Sequence, residues 1–433
     1  MTRSDAAGSA WGAGARRLRA ATVIAALAAL ALLAPRTALA GGGLASGQPL
    51  GPAAQNLSPT IGFWAGEAVP GTDWSNPATY WKRRDTSAYT PALWEVLSRY
   101  RIPLYFNLRY RRDFGPVPAG RPQRHDGLAI VRKANRLGVP VWGWVLIPYS
   151  DGYWAWEGSA GEQLDAVRAL AGWAREKRVR LQGLALDPEP PLRTPFEAQS
   201  SILLGSATGL TPLLQGAIDP ASQCRAWQGY ERIQRWGARH DVAIVTAPSP
   251  IALDDTRDGR LALQDASQFV LPDAPWDAVF VQAYRSVFAY YAGHDPGGGI
   301  VSSYLRSARR EFGDAGQVSL GSAGRGSYRR LPSLLHDVRL AATLGADELP
   351  IYSLERTLRA YGGPRSLIRL VHAAQHPFAG PRRATASAPT PQATALRASI
   401  RTTDAVATAT TPAITAARGA PQVANRWPGG CGG

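Results

Sequence analysis

This chain of 433 residues is poor in several things, and each scarcity narrows what it can be. Two cysteines leave at most one disulfide. Cys224 lies in a helical segment and Cys431 in the terminal Gly-Gly-Cys-Gly-Gly, a pairing that an exported chain permits and a flexible terminus leaves open. Among six histidines only His372 and His376 stand four apart, at the end of a helical segment with no acid nearby, so neither a metal site nor a cofactor is expected. Lysine is confined to Lys82, Lys133 and Lys177, so arginine carries nearly all the positive charge. The one long apolar run, 20–33, is short for a membrane span, and no nucleic-acid-binding motif is present.

That run follows Arg16, Arg17 and Arg19 and precedes Thr37-Ala38-Leu39-Ala40, the pattern of a secretory signal peptide cleaved near Ala40. No cysteine follows to take a lipid, so a secreted or periplasmic protein with no stable membrane span after cleavage is expected. Residues 41–57 read as a linker. From about Phe378 the chain turns to Ala, Thr, Pro and Arg with few large apolar residues, which predicts a disordered tail over 378–433. The formal charge of +16 includes five arginines against Asp5 in residues 1–40 and six against Asp404 in the tail, leaving about +7 between them. Such a surface can favour an acidic polysaccharide, envelope phosphate or nucleic acid by simple attraction, and with no nucleic-acid motif present no nucleic-acid partner is expected.

Between the two flanks, strand and helix patterns alternate. Strands are predicted at 60–65, 104–108, 141–147, 183–186, 242–247, 278–284, 317–322 and 349–354. Helical periodicity falls at 91–100, 127–137, 161–178, 222–240, 300–312, 332–344 and 364–374, with a weaker pattern at 260–270. Eight such units over 58–377 predict an α/β protein of one domain, a (β/α)8 TIM barrel, whose active site lies where the strand C-termini meet the βα loops.

Strand four ends Gly183-Leu184-Ala185-Leu186-Asp187-Pro188-Glu189. Residues two apart on a strand share a face, so Asp187 and Glu189 reach the rim together. Two acids this close repel when both are ionised, so one can keep a proton near neutral pH and donate it. The segment resembles strand four of the chitinase-like and endo-N-acetylglucosaminidase-like glycoside hydrolases, Asp-Gly-x-Asp-x-Asp-x-Glu, keeping the glycine, the last aspartate and the glutamate. Gln182 and Ala185 replace the first two aspartates. The resemblance implies that Glu189 is the general acid protonating the glycosidic oxygen. It implies that Asp187 orients the N-acetyl group as that group attacks the anomeric carbon, with Tyr284 of Gln282-Ala283-Tyr284-Arg285 contacting the same acetamido group. Arg285 stands where the family has aspartate, and Tyr352 on strand eight stands in for its tryptophan floor. A short Asp-x-Glu on strand four also occurs in barrel lysozymes, which keeps peptidoglycan as a substrate.

Carbohydrate sites stack aromatic rings on sugars. Trp64 ends strand one, the loop after strand three carries Tyr149, Tyr153, Trp154 and Trp156, and the loop after strand six carries Phe288, Tyr290 and Tyr291. Packing within the loops is the alternative for these rings, and Trp142 and Trp144 can simply fill the barrel. Strand seven ends without an acid, leaving Glu355 after strand eight as the best additional carboxylate, or a salt-bridge partner of Arg356 or Arg359. Glu67, Asp254 and Asp255 are weaker candidates. Arg109 on strand two and Arg325 after strand seven can meet an anionic substituent on the glycan, or merely pair with the acids. The long 191–221 connection is expected to serve as a lid or a docking loop. The reading reached is an exported glycosidase acting on an N-acetylated or envelope polysaccharide; the alternative is a non-catalytic carbohydrate-binding barrel or an envelope scaffold. Linkage and oligomeric state are not legible.

Overall fold

The computed structural model describes residues 59–67, 77–191, 218–256, 261–272 and 274–417. The expected signal peptide and linker, most of the 191–221 connection and Cys431 lie outside these residues. The strands are β1 (Thr60–Ala65), β2 (Leu104–Arg109), β3 (Val141–Leu146), β4 (Leu184–Leu186), β5 (Ile244–Thr246), β6 (Ala278–Gln282), β7 (Gly316–Gly321) and β8 (Glu348–Tyr352). All pair in parallel, in sequence order, and β8 returns to β1. The protein is a (β/α)8 TIM barrel.

The helices include α1 (Pro91–Arg99), α2 (Asp126–Arg136), α3 (Ala160–Glu176), α4 (Pro220–His240), α5 (Ile251–Asp255), α6 (Ala262–Ser267), α7 (Arg285–Ala292), α8 (Gly299–Phe312), α9 (Leu331–Thr343), α10 (Leu354–Tyr361) and α11 (Arg365–Gln375). Local signals start several of them. Thr90 accepts from the Leu93 N–H ahead of Pro91, and Asp219 accepts from Ser222 ahead of Pro220, satisfying amides that a first helical turn leaves free.

Period-two alternation sorts the strand residues into two cores. Phe63, Phe106, Val145, Leu186, Val281 and Ile351 point outward to the helices, and Trp64, Tyr105, Trp144, Ala185, Val245 and Phe280 point inward. At the barrel bottom Tyr105 stacks on Trp142 with ring centroids 5.9 Å apart and donates to Glu348 at 2.6 Å. Gly183 is required there, because a Cβ would lie 2.4 Å from both the Trp142 ring and the Ala243 carbonyl. The large aromatics close the lower barrel and leave its upper mouth open.

The expected disordered tail is corrected over much of its length. Helices α12 (Pro381–Ser387) and α13 (Pro391–Ala417) follow α11, and α13 packs against α5, α6 and α8. Ala393, Leu396, Ile400 and Ala407 are buried on one side of it. Its threonines return their hydroxyls to the helix backbone, Thr411 to Ala407 at 2.8 Å and Thr415 to Thr411 at 3.0 Å, so small and β-branched residues suffice. Arg397 anchors it through Asp254, 2.5 Å away with no exposed side-chain surface on the aspartate. Cys224 on α4 is disulfide-bonded, and the sequence has one other cysteine, Cys431. No described helix is long and apolar enough to cross a membrane.

Candidate active site

Beyond β4 the chain stays extended through Asp187-Pro188-Glu189, and both of its edges are paired. Ala155 donates to the Asp187 carbonyl at 3.0 Å and accepts from the Glu189 N–H at 3.2 Å, while Ser249 donates to the Pro188 carbonyl at 3.1 Å. The loops after β3 and β5 therefore grip the acid segment from either side. Asp187 and Glu189 emerge on the face of Ala185, inside the mouth of the barrel.

The two carboxyl groups lie side by side, both within hydrogen-bond distance of one side-chain amide. Gln282, at the end of β6, bridges both: its Nε2 lies 2.8 Å from Asp187 Oδ1, 2.6 Å from Glu189 Oε1 and 2.9 Å from the Ala247 carbonyl. Burial, and then the charge of Glu189, push Asp187 well above the usual carboxylate range, against the hydrogen bond from Gln282. Burial also raises Glu189, while Gln282 and Asp187 pull it down. Two neighbouring carboxyls, both raised and one of them buried, form an arrangement in which one can keep a proton and donate it.

Above the pair opens a cavity of about 670 Å³. Trp64, Trp144, Trp154, Tyr284, Tyr291 and Tyr352 line it. Tyr284 and Tyr352 stack at 5.9 Å, and Trp144 meets Tyr352 edge-on at 6.4 Å. Trp64 is fixed by its indole N–H, which donates to Ser319 at 3.0 Å. The Tyr284 ring fills the space beside Gly321, where a Cβ would approach it to 3.0 Å. Burial and the charge of Glu189 push the Tyr291 hydroxyl up to about 12. Tyr290 is 70% exposed at the mouth. Among the described residues lining the cavity, Asp187 and Glu189 are the only acids.

Of the residues singled out in the sequence, Asp187, Glu189, Trp64, Trp154, Tyr284 and Tyr352 line this cavity, as do Phe288, Tyr290, Tyr291 and Arg325. Others belong elsewhere. Tyr149 packs between Tyr80 and Tyr153, with centroids 5.7 and 4.6 Å away. Trp156 folds back over Gly152 and Gly158, which leave room for its indole, and donates to the Asp151 carbonyl at 2.6 Å. Arg109 is buried below the same loop and donates to the Tyr80 carbonyl at 2.8 Å, so no substituent reaches it. Glu355 is buried and accepts from the Gly66 N–H at 2.8 Å and the Tyr89 hydroxyl at 2.7 Å. Its expected arginine partners go instead to Glu67, with Arg356 at 2.8 Å and Arg359 at 3.8 Å. Asp254 and Asp255 are buried beneath α13.

Gln282 escaped the sequence reading as a site residue, although it stands two residues before Tyr284 and therefore on the same face of β6. Trp144 both fills the barrel and lines the cavity. Arg285, in the position where an aspartate was expected, turns out of the cavity to Asp295 and Asp337 at 2.7 and 3.0 Å. Among the described residues, no group of three or more His, Cys, Asp or Glu side chains is placed to hold a metal ion.

No family model matches the chain, and no curated protein matches it. Among solved structures it is similar to a Thermotoga maritima family 1 glycoside hydrolase complexed with a cyclophellitol analogue transition state mimic, at 14% identity over 60% of this chain and 76% of that one, TM-score 0.35. It is similar to a GH5-4 broad specificity endoglucanase from an uncultured bacterium at 12% identity over 73% and 94%, TM-score 0.45. It is also similar to the HMG-CoA lyase from Brucella melitensis at 10% identity over 75% and 92%, TM-score 0.32. The likeness ends at the barrel: hydrolases and a lyase share it, so it carries no chemistry to this chain.

Proposed function

We propose that the protein is an exported glycoside hydrolase cleaving an N-acetylated or envelope polysaccharide, with Glu189 as the general acid. The observation that carries this reading is the Asp187–Glu189 pair, bridged by Gln282 at the C-terminal end of a barrel strand, beneath an aromatic-lined cavity. Flat rings suit the apolar faces of sugars, and the mouth of the barrel admits a chain. Conventional glycosidases set two carboxyls about 5–10 Å apart on either side of the scissile bond. Here the two lie side by side at the end of one strand on the same Gln282 amide, and among the described lining residues no further acid faces them. A nucleophile supplied by the substrate itself, its acetamido oxygen, fits this arrangement. Glu189, the more accessible acid, would protonate the leaving oxygen, and Asp187 would hold the acetamido group, with Tyr284 beside it.

The test is release of new reducing ends from N-acetylated glycans and peptidoglycan by the full chain and by Glu189→Gln. Wild-type release, lowered about 10²–10⁴-fold in the variant, is the expected result. Equal release by both proteins would remove Glu189 from the role. Glycan binding by both without release would make the protein a carbohydrate-binding barrel.

A further inference from the structure

Opposite the acid pair, three strands round the barrel, the cavity wall is formed by the loop after β7, and two of its lining residues are Arg325 and Arg329. They bracket the single helical turn Gly326–Tyr328. Both side chains are exposed, and among the described residues neither makes a hydrogen bond or ion pair through its guanidinium. The other arginines near the cavity mouth are spent: Arg356 is held by Glu67 at 2.8 Å, and Arg285 by Asp295 and Asp337.

The backbone that presents the free pair is not loose. Tyr328, between them in sequence, is fully buried and donates to Asp337 at 2.9 Å. Gly324 donates to the Tyr361 hydroxyl at 3.0 Å, and that hydroxyl donates to the Tyr328 carbonyl. Gly326, at φ 46°, lies so close to α7 that a Cβ would come within 2.8 Å of the Ser286 carbonyl. A pinned turn thus holds two exposed cations, without a partner among the described residues, at the wall of the cavity.

We infer that Arg325 and Arg329 form an anion subsite, so that the polysaccharide taken by this cleft is an acidic glycan bearing carboxylate or sulfate groups. The inference rests on the glycan reading above and narrows it. A guanidinium offers paired N–H donors in a planar fork that matches the two oxygens of either group, a contact that a neutral sugar cannot return. The subsite would seat a charged residue of the chain away from the bond over Glu189, and so would set which glycan enters without taking part in proton transfer.

The experiment measures binding by titration calorimetry, using the full chain carrying Glu189→Gln so that turnover does not interfere. The probes are hyaluronan hexasaccharide (carboxylate), chondroitin sulfate hexasaccharide (carboxylate and sulfate) and neutral chitohexaose. At about 50 mM salt the better acidic probe should bind about tenfold or more tighter than chitohexaose, and raising salt to about 300 mM should shrink the difference. Adding Arg325→Gln and Arg329→Gln should abolish the preference while changing chitohexaose binding less than about twofold. An advantage for the chondroitin probe over hyaluronan assigns the subsite to sulfate, and the reverse to carboxylate. Equal binding of acidic and neutral probes, a preference that survives the double substitution, or no binding of either acidic probe overturns the inference. Reducing-end release is scored separately on the wild type. A protein that prefers the acidic probe through these arginines but releases nothing keeps the subsite and loses the hydrolase reading.

Discussion

Gln282 is the residue on which the protonation of the acid pair turns. Its amide N–H groups favour the ionised form of whichever carboxyl they reach, so it opposes the upward push of burial on Asp187 and Glu189. In Gln282→Leu that opposition is gone and both groups move higher. The limbs of the pH–rate profile should therefore shift toward alkaline pH by about one unit, while the melting temperature measured below pH 5 changes little. An unshifted profile would mean that Gln282 positions the acids without tuning them. The same rule of alternation that placed Asp187 and Glu189 on one face in the sequence also placed Gln282 with Tyr284, so the whole dyad clamp was legible in principle. Tyr149, Trp156, Arg109 and Glu355 were not. For Tyr149, Arg109 and Glu355 the direction is set by partners distant in sequence, Tyr80 for the first two and Gly66 for Glu355, and for Trp156 by the local turn at Asp151 and Gly152.

At the scale of elements, the strands were legible because their apolar runs are short and separated by helical periods. Their ends shifted by one or two residues, most visibly where a ladder stops early, as in β4 and β5 with three residues each. Helix α13 was misread because its packing uses alanine and self-satisfied threonine in place of leucine, so composition alone resembles a disordered segment. Its docking is rich in charge. Removing the partner of a buried ion is costly, but Arg401 lies 3.6 Å from Asp254 and Tyr304 donates to it at 2.7 Å. Arg397→Ala should therefore destabilise by about 2–3 kcal/mol, below the full penalty for an orphaned buried charge, as read by denaturant unfolding. A little further along, Asp404 meets Asp255 carboxyl to carboxyl. Burial, and then Asp404, raise Asp255 well above its ordinary value. A raised acid gives stability that is present at low pH and lost as pH climbs through the folded-state value. Wild-type melting temperature should fall between about pH 5 and 8, and Asp404→Asn, whose amide donates without needing that proton, should flatten the fall. A fall of the same size in the variant would show that this contact does not hold the proton.

For the molecule as a whole, the surplus of arginine read from composition includes two contrasting groups beside the arginines exposed elsewhere on the surface. One is internal: Arg84 and Arg112 are consumed in a buried network with Asp113 and Asp126, and Arg397 with Asp254. The other, Arg325 and Arg329, faces the cleft, and no count of charges could have separated the two before the chain was folded. Helix α13 also reaches the site indirectly. Ser249, Pro250 and Ile251 line the cavity, and Ile251 begins α5, whose far end carries Asp254 and Asp255 into α13. A chain ended after residue 377 should melt lower by more than about 5 °C and show a raised KM with kcat largely kept, because the wall of the cleft loses its backing. Unchanged melting would mean that α13 is only an ornament on the barrel.

Chain ends are the parts of a protein that experimenters most readily trim, tag or graft. Here the C-terminal helix is seated on the same short element that walls the cleft, so an affinity handle or a fused partner belongs beyond residue 417. Homologues that exchange this terminal helix for another would be expected to differ in cleft shape even where every barrel strand is the same.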